Sequence, residues 1–85
     1  MCYVYMVRLS DDSLYCGITN DPQRRMKEHR EGRGSKYVKG RLPLELVYLE
    51  KCDGRGEAMQ RESKIKDMSK ERKEGLVESF QERMG

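Results

Sequence analysis

The stretch that decides the fold is Cys2-Tyr3-Val4-Tyr5-Met6-Val7-Arg8-Leu9, then Ser10-Asp11-Asp12-Ser13, then Leu14-Tyr15-Cys16-Gly17-Ile18-Thr19. The first run is rich in aromatic and β-branched residues and reads as a strand. The four residues that follow are turn chemistry, and the last six read as a second strand. The result is an N-terminal β-hairpin. Side chains alternate across a strand, so its register decides which residues meet. With Leu9 opposite Tyr15, Tyr5 falls opposite Thr19; a three-residue loop is also expected. Tyr3, Tyr5, Val7, Tyr15 and Gly17 then share one face. Cys2, Val4, Met6, Leu14, Cys16 and Ile18 form an apolar set on the other. A slip of one residue would part Tyr5 from Tyr15, so the register with Leu9 opposite Tyr15 is predicted.

Beyond the hairpin, Asp21-Pro22 marks a helix start, with Asp as N-cap and Pro at the first helical position. This helix should run to about Glu31 and stop at Gly32. Its only large apolar residue is Met26, and Arg25 and His29, four apart, are helical neighbours beside it. The helix must therefore turn partly polar residues inward. Residues 32–40 read as a Gly- and Lys-rich loop. Leu42 to about Lys51 reads as a third strand with Pro43 near its start, and Cys52-Asp53-Gly54 as a turn. Residues 56 to about 68 form a helix with Ala58, Ile65 and Met68 on one stripe. Ser69 can cap a last helix from 70 to about 82. The fold class is α+β: a three-stranded sheet, made of the hairpin and a third strand, flanked by about three helices in one domain over residues 1–85. No repeat, linker or low-complexity segment interrupts it.

With 35% hydrophobic and 39% charged residues in an 85-residue chain, the core must be thin. There is no Trp and one Phe, and the aromatic content is carried by five Tyr, each bringing a hydroxyl. The net charge of +3 hides an asymmetry. Residues 24–41 hold eight basic residues (Arg24, Arg25, Lys27, Arg30, Arg33, Lys36, Lys39, Arg41) against Glu28 and Glu31, a local +6 that leaves −3 elsewhere. Such a stretch suits a polyanionic partner, and it also suits a solvated loop and helix face. Cys2, Cys16 and Cys52 have neither zinc-site spacing nor the even count of a disulfide framework. A reducing cytoplasmic location is expected, with no signal peptide and no membrane span.

Glu62 is the oddity of the second half. It lies within the apolar arc of its helix, one turn after Ala58 and Met59. A carboxylate there is costly unless paired or bound to a metal. Arg61, Lys66 and Arg25 are candidate ion-pair partners. The alternative is one hard divalent cation, which needs only one or two carboxylates besides water and phosphate. Tyr5 and Tyr15 are ordinary strand residues, yet the basic helix and the inward carboxylate are expected to converge on their face. Arg25 would pair with Glu62 or face a phosphate. His29 is the only histidine.

Together these residues resemble the GIY-YIG nuclease domain. Tyr3-Val4-Tyr5 stands where the first signature tripeptide belongs and Tyr15-Cys16-Gly17 where the second does. The tyrosine spacing is similar, as is the helix with Arg25 and then His29. The segment Ala58-Met59-Gln60-Arg61-Glu62-Ser63-Lys64-Ile65-Lys66 looks like the family's second helix, with its metal-binding glutamate at Glu62. The resemblance covers almost the whole chain and is closest to the small stand-alone bacterial members, which carry a loop similar to residues 34–37.

That resemblance implies hydrolysis of phosphodiesters with one divalent metal ion, Mg²⁺ or Mn²⁺, on Glu62. Tyr5, oriented by Tyr15, would take a proton from the attacking water, with a positive neighbour such as Arg25 or the metal easing its ionisation. Arg25 would stabilise the transition state, and His29 would support the hydrogen bonding or help move the proton. Arg24, Arg33, Lys36, Tyr37, Lys39 and Arg41 would contact nucleic acid. DNA, branched or damaged, is the implied substrate, in repair or recombination. Targeting would come from the basic loop, from self-association as a weak homodimer, or from a partner protein acting with a monomer. Several positions depart from the family pattern. Tyr3, Val4 and Cys16 replace its Gly, Ile and Ile. Ile18 stands where excision-repair members have a lysine, and Asn20, the only Asn, cannot fill the late asparagine position. The rival reading is a weak or inactive nucleic-acid-binding module of the same fold that acts with a partner.

Overall fold

A computed structural model describes residues 1–84. Its elements are β1 (Cys2–Arg8), β2 (Leu14–Thr19), α1 (Pro22–Arg30), α2 (Lys36–Lys39), β3 (Glu45–Cys52), α3 (Arg55–Lys66) and α4 (Lys70–Met84). The three strands form one antiparallel sheet in the order β2-β1-β3. The α+β architecture is the one expected, with a fourth, one-turn helix added.

The hairpin keeps its expected faces in a different register. Val7 pairs with Tyr15, Tyr5 with Gly17 and Tyr3 with Thr19, two residues from the expected pairing of Leu9 with Tyr15. The turn sets this. Leu9 N–H donates to Ser13 O at 2.9 Å, and Asp12 N–H donates to Leu9 O at 2.9 Å. The loop is therefore Ser10-Asp11-Asp12, closed by Asp12 at φ 69°, a left-handed conformation that Asp tolerates. Asp11 Oδ1 accepts from Ser13 N–H at 3.1 Å and braces it. A shift of two residues leaves every side chain on its face, so Tyr5 and Tyr15 remain together.

The helix caps follow the sequence closely. Asp21 accepts from Arg24 N–H, and Ser69 Oγ accepts from Arg72 N–H at 3.2 Å. Two segments differ from expectation. Residues 36–39 form α2 where a plain loop was expected, because the Ser35 hydroxyl caps Tyr37 N–H at 3.1 Å and Val38 is fully buried. Strand β3 begins at Glu45 instead of Leu42, since Pro43 has no N–H to give a ladder. Within β3 a bulge opposite Met6 and Val7 leaves Val47 unpaired. The strand therefore sends Val47 and Tyr48 to one side and Leu46 and Leu49 to the other.

The two faces of the sheet carry separate cores. On one, Tyr5, Val7 and Leu9 pack with Met26 of α1 and Val38 of α2. On the other, Val4, Met6, Cys16 and Tyr48 pack with Ala58 and Ile65 of α3 and Val77 of α4. Arg8 pins α4 to the central strand through two parallel bonds to Glu74, at 2.8 and 2.6 Å. All three cysteines are free and buried.

Candidate active site

Tyr5 is the centre of the α1 side. It projects from the middle strand, is 1% exposed, and its hydroxyl lies 2.8 Å from His29 Nε2. His29, on the inward face of α1, is fully buried. Two glycines make room for the pair. Gly17 faces Tyr5 across the hairpin, and a Cβ there would stand 2.6 Å from the Tyr5 hydroxyl oxygen. Gly34 backs the imidazole, where a Cβ would stand 2.3 Å from Nδ1. His29 Nδ1 is itself buried without a hydrogen-bond partner. Tyr15 meets the imidazole edge-on with centroids 5.8 Å apart.

Electrostatics fixes the charge states. Burial raises the Tyr5 pKa above that of a free phenol. The Arg25 guanidinium lies near enough to pull it down, and burial outweighs it. Arg25 therefore eases the ionisation of Tyr5 as expected, but by less than burial opposes it. Burial, with the Arg25 charge second, also lowers the His29 pKa below the usual imidazole value. The pair is a neutral phenol beside a neutral imidazole. Arg25 itself donates to Glu28 at 3.2 Å.

Tyr5, Tyr15, Arg25 and His29 are thus brought together, and Glu62 is not. Its helix α3 packs on the opposite face, so the expected convergence on one face does not occur. Glu62 borders the edge strand β2 from the other layer. Its side chain is 21% exposed, and its partner is Lys66 at 3.4 Å, one of the three ion-pair partners foreseen. Burial pushes the Cys16 thiol up to about 11, and the Glu62 charge adds to that rise. Among the described residues no group of three His, Cys, Asp or Glu could hold a metal ion.

The expected nucleic-acid contacts divide in two. Arg24, Lys36 and Lys39 are exposed, with Arg24 donating to Asn20 Oδ1 at 2.8 Å. Arg33 is engaged by Glu31. Arg41 is tied to the protein's own groups at the surface. It donates to Asp11 at 3.0 Å and to Tyr37 O at 3.1 Å, and its guanidinium lies 3.7 Å over the Tyr37 ring. Tyr37 in turn stacks on Tyr15 with centroids 6.1 Å apart while remaining 41% exposed. A chain of contacts therefore runs from Asp11 through Arg41 and Tyr37 to Tyr15. Sequence reasoning missed Gly34 and Asp11 as parts of this site. The paired glycines Gly32 and Gly34, the second of them opening the family-like loop at residues 34–37, were the available sign of a close approach.

The profile of the GIY-YIG catalytic domain matches residues 1–75. The chain belongs to the GIY-YIG family. Within it, the protein is similar to small proteins that consist of little else. A UPF0213 protein of Haloquadratum walsbyi is 49% identical over 76 residues, which cover 89% of this chain and 85% of the relative. The solution structure of a UPF0213 protein from Bacillus halodurans is 42% identical with a TM-score of 0.60, covering 92% of this chain and 84% of that one. A solution structure of a protein from E. faecalis is 35% identical with a TM-score of 0.63, covering 93% and 84%. The GIY-YIG match makes this a nuclease-family fold, and no helix among the described residues is long and apolar enough to cross a membrane.

Proposed function

We propose that the protein is a divalent-metal-dependent endonuclease that hydrolyses phosphodiester bonds in DNA, on repair or recombination intermediates. The observation that carries this reading is the buried Tyr5–His29 pair, 2.8 Å apart, beside Arg25. A buried phenol is too weakly acidic to wait as phenolate. It can relay a proton instead. With the imidazole proton on Nδ1, Nε2 accepts from the Tyr5 hydroxyl. The phenolic oxygen then takes a proton from an attacking water while its own proton passes to Nε2. The charge ends on His29 as imidazolium, the leaving oxygen takes a proton from solvent water, and His29 releases its own proton through Tyr5 to water once the product has left. Arg25 stabilises the negative charge that builds on the phosphoryl oxygens.

Glu62 fits a single-carboxylate site for Mg²⁺ or Mn²⁺. It is partly buried and its one partner is a half-exposed lysine at 3.4 Å, so it can turn to a cation that keeps waters and phosphate oxygens as its other ligands. When bound, that ion would supply Lewis-acid stabilisation of the leaving oxygen.

The position of Glu62 in the other layer, already paired, favours the second reading: a weak or inactive nucleic-acid-binding module working with a partner protein. Nicking of a labelled panel (duplex, single strand, flap, junction and RNA) in Mg²⁺ or Mn²⁺ separates the two. The nuclease reading expects cleavage by wild type and none by Glu62→Ala, with binding retained. No cleavage by wild type on any member would overturn the stand-alone enzyme.

A further inference from the structure

A cleft of about 410 Å³ opens beside Arg25 at the end of the edge strand β2. Ile18, Asn20, Arg24, Arg25 and Glu28 line it, and Arg55, the first residue of α3, closes it from the other layer. We propose that this cleft is a second phosphate subsite, in which Arg55 and Arg24 grip a backbone phosphate of a polynucleotide whose neighbouring phosphodiester lies at Tyr5. The inference rests on the nucleic-acid reading above and adds to it a residue, Arg55, outside the basic stretch of residues 24–41.

The argument is one of charge and placement. Three guanidiniums meet one carboxylate, and that carboxylate, Glu28, is already engaged by Arg25. Among the described residues no carboxylate lies within ion-pair distance of Arg24 or Arg55. Like charges gathered on one cleft repel, and an anion relieves that repulsion. Guanidinium forks match phosphate oxygens in pairs. Asn20 accepts from Arg24 at 2.8 Å and fixes its direction. Arg55 and Glu62 are seven residues apart on α3, so they share a stripe and stand about 10 Å apart along the axis. A strand leaving the reacting centre along β2 therefore passes Glu62 and then Arg55. The cleft is open and its arginines are solvated, which suits a polymer anchored at several phosphates better than a free anion.

Binding of a fluorescein-labelled single-stranded 20-mer, followed by anisotropy in EDTA across a salt series, tests this without any cleavage. Arg55→Gln should weaken binding several-fold at low salt and flatten the log–log salt dependence by about 0.7, the share of one phosphate contact on a single strand. Arg72→Gln, exposed on α4, serves as the control and should match wild type. An Arg55→Gln protein with wild-type affinity and slope would overturn the subsite, as would failure of wild type to bind at low salt. Inorganic phosphate that perturbs wild type but not Arg55→Gln, with DNA affinity equal in both, would assign the cleft to a free anion and overturn the polynucleotide. The expected slope change in a protein that cuts nothing in the panel would uphold the subsite and sink the nuclease alone.

Discussion

Gly34→Ala is the sharpest test of the Tyr5–His29 pair, because it perturbs the pair while replacing neither residue. An alanine Cβ would lie 2.3 Å from His29 Nδ1, 2.7 Å from Cε1 and 3.1 Å from Cγ, where ordinary contact begins at 3.4 Å. The ring must give way by about 1 Å, and a displacement of that size in a catalytic constellation can cost about 10²-fold in rate. His29 is fully buried and Tyr5 nearly so, so neither has free space for retreat. Overpacking of this kind costs about 1–3 kcal/mol in stability, to which the loss of the buried hydrogen bond adds about 1–3 kcal/mol if the ring turns away. The assay is nicking rate beside thermal melting, with Gly75→Ala as the comparison. Gly75 lies within α4 with nothing within 4 Å of a built Cβ, so its replacement should stabilise by about 0.5–1 kcal/mol and leave activity unchanged. If Gly34→Ala melts and cleaves like wild type, the imidazole is not held where the relay needs it.

The pH dependence follows from the lowered His29 pKa, since the relay needs a neutral imidazole. Activity should hold level through neutrality and fall only well below pH 6.5, the ordinary imidazole value. The same shift destabilises the fold in acid: as pH drops below about 6.5 the unfolded chain takes a proton that the folded His29 refuses, so stability declines down to the lowered folded pKa and then levels. A His29→Gln protein that loses stability between pH 6.5 and 5 as steeply as wild type would contradict this. For the aromatic stack, Asp11→Ala should free Arg41 from its 3.0 Å bond, loosen Tyr37 over Tyr15 and lower kcat more than KM. A change in KM alone would mean that Arg41 contacts substrate instead of positioning Tyr15.

Much of the fold can be read along the chain, and the parts that cannot have a common cause. The hairpin faces were legible because alternation in Cys2–Leu9 and Leu14–Thr19 is a local property. Its register was not, because it turns on Asp12 entering the left-handed region, which nothing in Ser10-Asp11-Asp12-Ser13 dictates. The bulge at Val47 lies in an unbroken apolar run, Leu46 to Leu49, where alternation carries no signal. The stripe on α3 announced that the helix packs, but a stripe says nothing about which face of the sheet it packs on. That is why Glu62 was placed on the wrong face while its neighbours Ala58 and Ile65 were correctly read as core. The Tyr5, Tyr15, Arg25 and His29 grouping came through because strand parity and i,i+4 spacing survive any such rearrangement.

The layer arrangement has a chemical consequence. A proton relay works best where water cannot compete, and the Tyr5–His29 pair lies between the sheet and α1, sealed by Gly34 on one side and backed by Gly17 on the other. Phosphate and cation binding need the opposite condition, a wet surface with mobile charges. The chain supplies that at the edge of β2, where Arg24 and Arg25 arrive from one layer and Arg55 and Glu62 from the other. Gly17 belongs to that edge strand and faces the Tyr5 hydroxyl across the ladder. A Cβ there would stand 2.6 Å from the Tyr5 hydroxyl oxygen and push the phenol away from His29 while leaving the charged rim in place. Gly17→Ala should therefore abolish cleavage while leaving the Arg55-dependent salt slope of DNA binding as in wild type, and a loss of both together would mean that the two regions are not separable.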